Sequence, residues 1–101
     1  MKYKELEEKI LDRADGLDLL TEANLLAQSN KIKVEVDKLH TATLAKSRGF
    51  KEFIINGNKI AKTEQEIKKR LGIALYELVI LAEVNRVSLE DCLEEVYKNK
   101  R

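Results

Sequence analysis

The chain contains no proline and no tryptophan, and only four of its 101 residues are glycine. Because proline and glycine are the residues that most often interrupt helices, their scarcity predicts long helices. The single cysteine, Cys92, excludes an internal disulfide framework and is typical of a reducing compartment. The longest apolar run, residues 71–84, is interrupted by Glu77 and Glu83. We therefore expect a cytoplasmic protein that does not enter the membrane.

An excess of one charge is also missing, since 19 Lys and Arg offset 18 Asp and Glu to leave a net charge of +1. A chain so close to neutrality has no overall field that would draw it to nucleic acid or to an anionic membrane. Apolar residues make up 44% of the sequence and charged residues 37%, which allows one thin core. We expect a single domain over residues 1–101 that completes its core by oligomerisation.

Apolar residues recur at helical spacing in four segments. This periodicity and the capping residues predict helices near residues 3–14, 21–46, 63–86 and 88–99. Thr63 and Glu66 have the spacing of a capping box at the start of the third helix. Before it, Asn56-Gly57 separates two apolar runs, which indicates a short β-hairpin or an irregular loop over about residues 48–61. The predicted fold is all-α, an antiparallel bundle of about four helices.

The third predicted helix is apolar on nearly all sides. A helix of this kind is buried on more than one face. In so short a chain, this predicts a homodimer or homotetramer whose interface contains Ile73, Val79, Ile80 and Val84.

Three stretches resemble the MazG-like family of all-α nucleoside triphosphate pyrophosphohydrolases. Residues 28–39 begin with a glutamine, have a lysine three residues later and end in leucine, similar to the family's Gln, Lys and Glu-Glu-x-x-Glu-Leu pattern. Residues 66–83 resemble the helix that carries Glu-x-Gly-Asp-x-Leu and the Leu-Ala-Glu after it. Residues 87–101 resemble the family's C-terminal helix and its Lys-Asn-x-x-Arg type of ending. The resemblance implies a MazG-like bundle whose subunits pair to form their sites.

The resemblance also implies which positions should be acidic. In that family, glutamates three or four residues apart share a helix face, and two antiparallel helices present four carboxylates to Mg²⁺. The positions that align with these ligands here are Val34, Glu35, Lys38, Arg70 and Ile73. Only Glu35 is acidic, and the cations beside it would repel Mg²⁺. The resemblance thus implies a degenerate site without catalytic residues, metal or cofactor.

Two nearby carboxylates do not repair this pattern. Asp37 and Glu66 lie one and four residues from lost ligand positions, so a shifted register restores one ligand but not four. Lys31, Lys38 and Arg70 are candidate phosphate-binding residues if a nucleotide binds without metal. The alternative is that Lys38 and Arg70 are solvated surface charges or pair with Glu35 across the helices.

Three functions remain open. The first is a non-catalytic MazG-like protein that binds a protein partner, as a regulator or inhibitor. The second is a nucleotide-binding or sequestering protein with a basic, metal-free groove. The third is an active pyrophosphohydrolase, which would need Mg²⁺. A helix-turn-helix over residues 63–78 fits least, because the segment that would contact DNA, residues 75–81, is mostly apolar, and we do not expect nucleic-acid binding.

Overall fold

The computed structural model describes residues 1–100. Arg101, the last residue of the segment that resembles the MazG-like C-terminus, lies outside the described residues. In chain order the elements are α1 (Tyr3–Gly16), a 3₁₀ turn (Glu22–Asn24), α2 (Leu25–Ser47), β1 (Glu52–Asn56), β2 (Lys59–Lys62), α3 (Thr63–Val84) and α4 (Leu89–Asn99). The prediction of a mostly helical chain is confirmed, and a hairpin forms between the second and third helices. Within residues 1–100, no helix has the length and apolar character needed to cross a membrane.

Three helices end in the same hydrogen-bonding pattern. After α1, α2 and α3, an amide donates to a helix carbonyl five residues earlier in the chain, from Leu19 to Ala14, Phe50 to Ala45 and Val87 to Ala82. In each case the residue before that amide has a positive φ: Asp18, Gly49 and Arg86. This is the Schellman motif, which usually takes glycine at the left-handed position. Only α2 uses glycine, which is why the ends of α1 and α3 were predicted two residues off.

The hairpin pairs β1 with β2 in antiparallel register, with Ile54 opposite Ile60. Its turn has Gly57 at φ +59°, the first central position, where type II′ turns place glycine. The sequence pattern had suggested Asn56 and Gly57 as the central pair, but Asn56 pairs with Lys59. The register shifts between Ile54 and Asn56, because β1 carries one extra residue there.

The predicted capping box at the start of α3 is wrong. The Thr63 hydroxyl donates to the Phe50 carbonyl at 2.8 Å, and the Thr63 amide donates to the Lys51 carbonyl at 2.9 Å. Because β2 runs directly into α3, Thr63 continues the hairpin's hydrogen bonding. The Glu66 carboxylate binds Arg70 instead. The predicted cap of α4 does form, since Ser88 accepts a hydrogen bond from the Asp91 amide.

The chain packs into two compact units. The first comprises Met1–Asn30 and the chain from Tyr76 onward, and the second is Lys31–Leu75. The core of the first unit contains Ala14, Ile80 and Val84, surrounded by partly buried side chains: Ile10, Leu19, Leu20 and Tyr76.

This packing bears on the predicted subunit interface. Val79, Ile80 and Val84 are only 3%, 2% and 7% exposed. The premise that these three need cover from a second subunit is therefore wrong, because α1 side chains already pack around this part of α3. Ile73, in the second unit, is half-buried. An interface on α3 stays a prediction.

Candidate functional site

Three charged side chains meet in the second unit: Glu35 of α2 with Glu66 and Arg70 of α3, called here the Arg70 triad. Arg70 Nη1 lies 2.9 Å from Glu35 Oε2, and Arg70 Nε lies 2.9 Å from Glu66 Oε2. The side chains of Arg70, Glu35 and Glu66 are only 12%, 14% and 8% exposed. The guanidinium thus joins two carboxylates in a largely buried position.

The triad follows from helix geometry and from the course of the chain. Glu66 precedes Arg70 by four residues, the spacing and order in which such a pair meets on one helix face. Glu35 comes from α2, which runs antiparallel to α3 in this unit. A second ion pair shows this arrangement, because Lys46 Nζ lies 2.9 Å from Glu64 Oε1 while Arg70 pairs with Glu35.

The surroundings keep Arg70 charged. Burial by itself would lower the pKa of Arg70, but the hydrogen bonds and negative charges of Glu66 and Glu35 outweigh that effect and raise the pKa above its usual value. Both carboxylates accept charge-assisted hydrogen bonds, which are stronger than neutral ones. Within residues 1–100, no buried side-chain nitrogen or oxygen lacks a partner. The triad is therefore electrostatically satisfied without any ligand.

The five positions aligned with metal ligands have different surroundings. Glu35 and Arg70 bind each other, so the alternative that Arg70 pairs with Glu35 across the helices is confirmed and Arg70 is not a solvated surface charge. Lys38 Nζ is 3.8 Å from Glu35 Oε1 and its side chain is half exposed, which makes this a weak pair. Val34 is half exposed and Ile73 is half-buried. The structure brings together Glu35, Lys38 and Arg70, which leaves one carboxylate of the implied four.

Sequence reasoning placed Glu66 close to a lost ligand position but missed its role in the triad. The spacing of Glu66 and Arg70 was the available signal. A second polar cluster, in the first unit, was missed altogether. There the Gln28 side chain is fully buried, donates to the Glu77 carbonyl and carboxylate, and accepts from Asn24. Gln28 could not be recognised as part of this cluster from the sequence, because its partner Glu77 lies 49 residues away on another helix.

A groove of about 440 Å³ lies beside the triad, between the hairpin and the two helices of the second unit. Its lining includes three cationic side chains, those of Lys38, Lys59 and Arg70, together with Phe53 and Glu66. Lys31, a predicted phosphate-binding residue, does not line it. The hairpin thus contributes a cation, Lys59, that the sequence had not singled out.

Two alternative sites can be compared with the structure. Residues 63–84 form one continuous helix, so the turn that a helix-turn-helix requires does not occur there. Within the part of the chain that the structure describes, no three His, Cys, Asp or Glu side chains are grouped as a metal ion would need.

Comparison of the chain with protein-family models, curated proteins and solved structures found no match.

Proposed function

We propose that this chain is a non-catalytic MazG-like protein that acts by binding a protein partner, as a regulator or inhibitor. The observation that carries the non-catalytic part is the Arg70 triad. Arg70 lies between Glu35 and Glu66, where two carboxylates on facing helices would otherwise attract a divalent cation.

A cation at this position would have to displace the guanidinium. Arg70 donates to both carboxylates from a largely buried site, so its removal would forfeit two charge-assisted hydrogen bonds and leave a buried cation unpaired. Mg²⁺ would gain at most two carboxylates in return, and it would have to release bound water, which it does reluctantly. The arrangement favours a permanent internal ion pair over a reversible metal site.

The partner surface that we propose is the outer face of the hairpin. Ile54 and Ile60 are directly opposed across the two strands and are 66% and 62% exposed. On the same face, the pair formed by Glu52 and Lys62 lies beside these isoleucines. The partner is therefore a protein with an apolar contact for the isoleucines and polar side chains of both charge signs beside it, since such a surface complements Lys62 and Glu52 as well.

The catalytic alternative is tested by pyrophosphate release from ribo- and deoxyribonucleoside triphosphates in the presence of Mg²⁺. We expect no turnover by the wild-type chain and none by Glu35→Ala. Turnover by the wild type that disappears in Glu35→Ala, while Lys69→Ala retains it, would show that the chain is an enzyme after all.

The binding surface is tested by replacing Ile54 with a photo-crosslinking residue in cells and then measuring affinity with the purified partner. Ile54→Thr with Ile60→Thr keeps β-branched residues in the strands while removing the apolar contact. We expect this pair to weaken binding at least about tenfold. Val34→Thr, which removes an exposed apolar side chain elsewhere in the second unit, is the control. Equal weakening by both variants would exclude the hairpin as the partner surface.

The groove supports a second candidate, nucleotide binding without metal. Two ammonium groups line this groove: that of Lys38, which is only weakly paired with Glu35, and that of Lys59. Phe53 provides an aromatic ring in the same groove. Thermal-shift measurements with nucleotides, with and without Mg²⁺, distinguish this function from protein binding. Stabilisation that Lys59→Ala abolishes and Lys68→Ala preserves would favour the nucleotide-binding function.

A further inference from the structure

Helix α4 has an apolar face that the described residues 1–100 leave largely exposed. Leu89, Leu93 and Val96 recur at intervals of four and three residues, so they lie on one face. Leu93 and Val96 are 69% and 51% exposed, and the adjacent Tyr97 is 81% exposed. Leu89 alone is half-buried, and every residue from Glu90 to Lys100 is exposed.

An isolated helix of this size is not stable in water. The helix has 11 residues, below the roughly 12 to 15 residues at which even favourable sequences become marginally helical. The Ser88 cap contributes about 1 kcal/mol, and the exposed ion pair between Lys98 and Glu94, 2.9 Å apart, contributes less. The helix therefore requires packing of its apolar face against another surface.

We propose that this surface is α4 of a second copy of the chain, packed antiparallel across a two-fold axis. The charges of α4 point to this arrangement. Glu90 lies at the start of α4 at the edge of its apolar face, and Lys100 follows its end, while Lys98 pairs with Glu94 on the opposite face. Antiparallel pairing places Glu90 of each copy beside Lys100 of the other, whereas parallel pairing would bring like charges together. The helix is thus complementary to itself in one orientation.

The apolar spacing also defines the register. With Leu93 of one copy opposite Val96 of the other, Leu89 lies beside the end of the other helix, which Lys100 follows in an extended conformation. The ammonium group of Lys100 then reaches Glu90 of the second copy. An alternation of three and four residues is the spacing at which two helices keep their apolar faces in contact.

The size of this interface predicts a weak dimer. Helix α4 is about 16 Å long, and a stable dimer usually buries about 800 Å² per partner, more than one such helix offers. Tyr3 and Leu6 on the first turns of α1 are 43% and 45% exposed. The start of α4 lies beside α1, because Glu7 and Leu89 line one concavity. These side chains extend the apolar surface, and we expect dimers above about 10 µM.

Sedimentation equilibrium of the full chain from 1 to 500 µM tests the proposal. We expect a monomer–dimer equilibrium in the wild type and a dissociation constant at least about 30-fold higher in Leu93→Glu. Lys98→Gln, which changes the charge equally on the opposite face of α4, should dimerise normally. Leu93→Ala, which keeps the helix propensity, should weaken the dimer as well. Circular dichroism at 222 nm verifies that each variant is folded.

A charge exchange tests the orientation. Glu90→Lys and Lys100→Glu should each weaken the dimer several-fold, and the two together should restore it, because the exchanged charges face each other again. A wild type that remains monomeric at 500 µM overturns the proposal. A dimer that Leu93→Glu leaves intact overturns it too, since the interface then lies elsewhere. Failure of the charge exchange to restore the dimer overturns the antiparallel register.

Discussion

Replacing Arg70 with alanine should destabilise the protein more than any surface substitution. Arg70→Ala leaves Glu35 and Glu66 as two charged groups, 14% and 8% exposed, without their partner. Removing one member of a buried ion pair typically costs about 3–5 kcal/mol, because the remaining charge is uncompensated. Lys38 remains 3.8 Å from Glu35 and offsets part of this loss. We therefore expect a loss of about 3 kcal/mol in the free energy of unfolding.

Urea denaturation followed by circular dichroism measures this loss, at one protein concentration for all variants. A loss of this size corresponds to a fall of roughly 12–20 °C in Tm for a chain of this length. Arg70→Lys keeps the charge but has no planar fork to bind both carboxylates, so about half of the loss should remain. Replacing Arg70, Glu35 and Glu66 together with methionine should restore most of the stability, since no charge is then left unpaired.

Lys69→Ala, an exposed neighbour on the same helix, is the control and should change the free energy of unfolding by less than about 0.5 kcal/mol. If Arg70→Ala is as mild as Lys69→Ala, the triad behaves like a surface ion pair and the reasoning from burial is refuted. If the triple methionine variant is less stable than Arg70→Ala, the cost does not arise from unpaired charge.

Three further predictions concern single residues. Gln28→Ala removes a fully buried amide that donates to Glu77, and should lower the free energy of unfolding by about 1–3 kcal/mol in urea titrations. Thr63→Val keeps the shape but removes the hydrogen bond to Phe50, and should lower it by about 1–2 kcal/mol in the same assay. Arg86→Gly removes the steric strain of a side chain at φ +57°. It should raise the free energy of unfolding by about 0.5 kcal/mol and Tm by a few degrees, as measured by calorimetry.

Neighbouring positions provide the controls for these three. Ser29→Ala and Gln65→Ala, both exposed, should each change the free energy of unfolding by less than about 0.5 kcal/mol. Asn85→Gly removes a side chain from the same helix end without relieving a positive φ and should not stabilise. A stability gain in Asn85→Gly as large as that in Arg86→Gly would show that the left-handed conformation is not strained.

The helices could be predicted because each carries its own periodic signal. The hairpin was signalled by Gly57, and the start of α4 by Ser88. The ends of α1 and α3 could not be predicted, since Asp18 and Arg86 adopt a left-handed conformation that neither residue type indicates. That conformation is stabilised by hydrogen bonds of the Schellman motif rather than by intrinsic preference.

The site was only partly predictable for a related reason. The pair of Glu66 and Arg70 lies within one helix, and its spacing is visible in the sequence. The pairing of Arg70 with the third member, Glu35, was one of two alternatives, because it depends on how α2 aligns with α3. The hydrogen bonds of Thr63 to Phe50 and Lys51 could not be predicted either. The sequence pattern around Thr63 fits both a helix cap and a continuation of the hairpin, and tertiary hydrogen bonds favour the hairpin.

The junction at Thr63 has a consequence for the order in which the parts of the protein fold. Thr63 bonds to Phe50 and Lys51, residues close in sequence, so the closure entropy is small and a hairpin forms within about 1–10 µs. The contact of Ala14 with Ile80 joins distant segments and must wait for a large loop to close. We therefore expect the hairpin that presents Ile54 to be formed in the transition state, before the core has closed. In that case Thr63→Val should slow folding, whereas Ile80→Val should mainly accelerate unfolding.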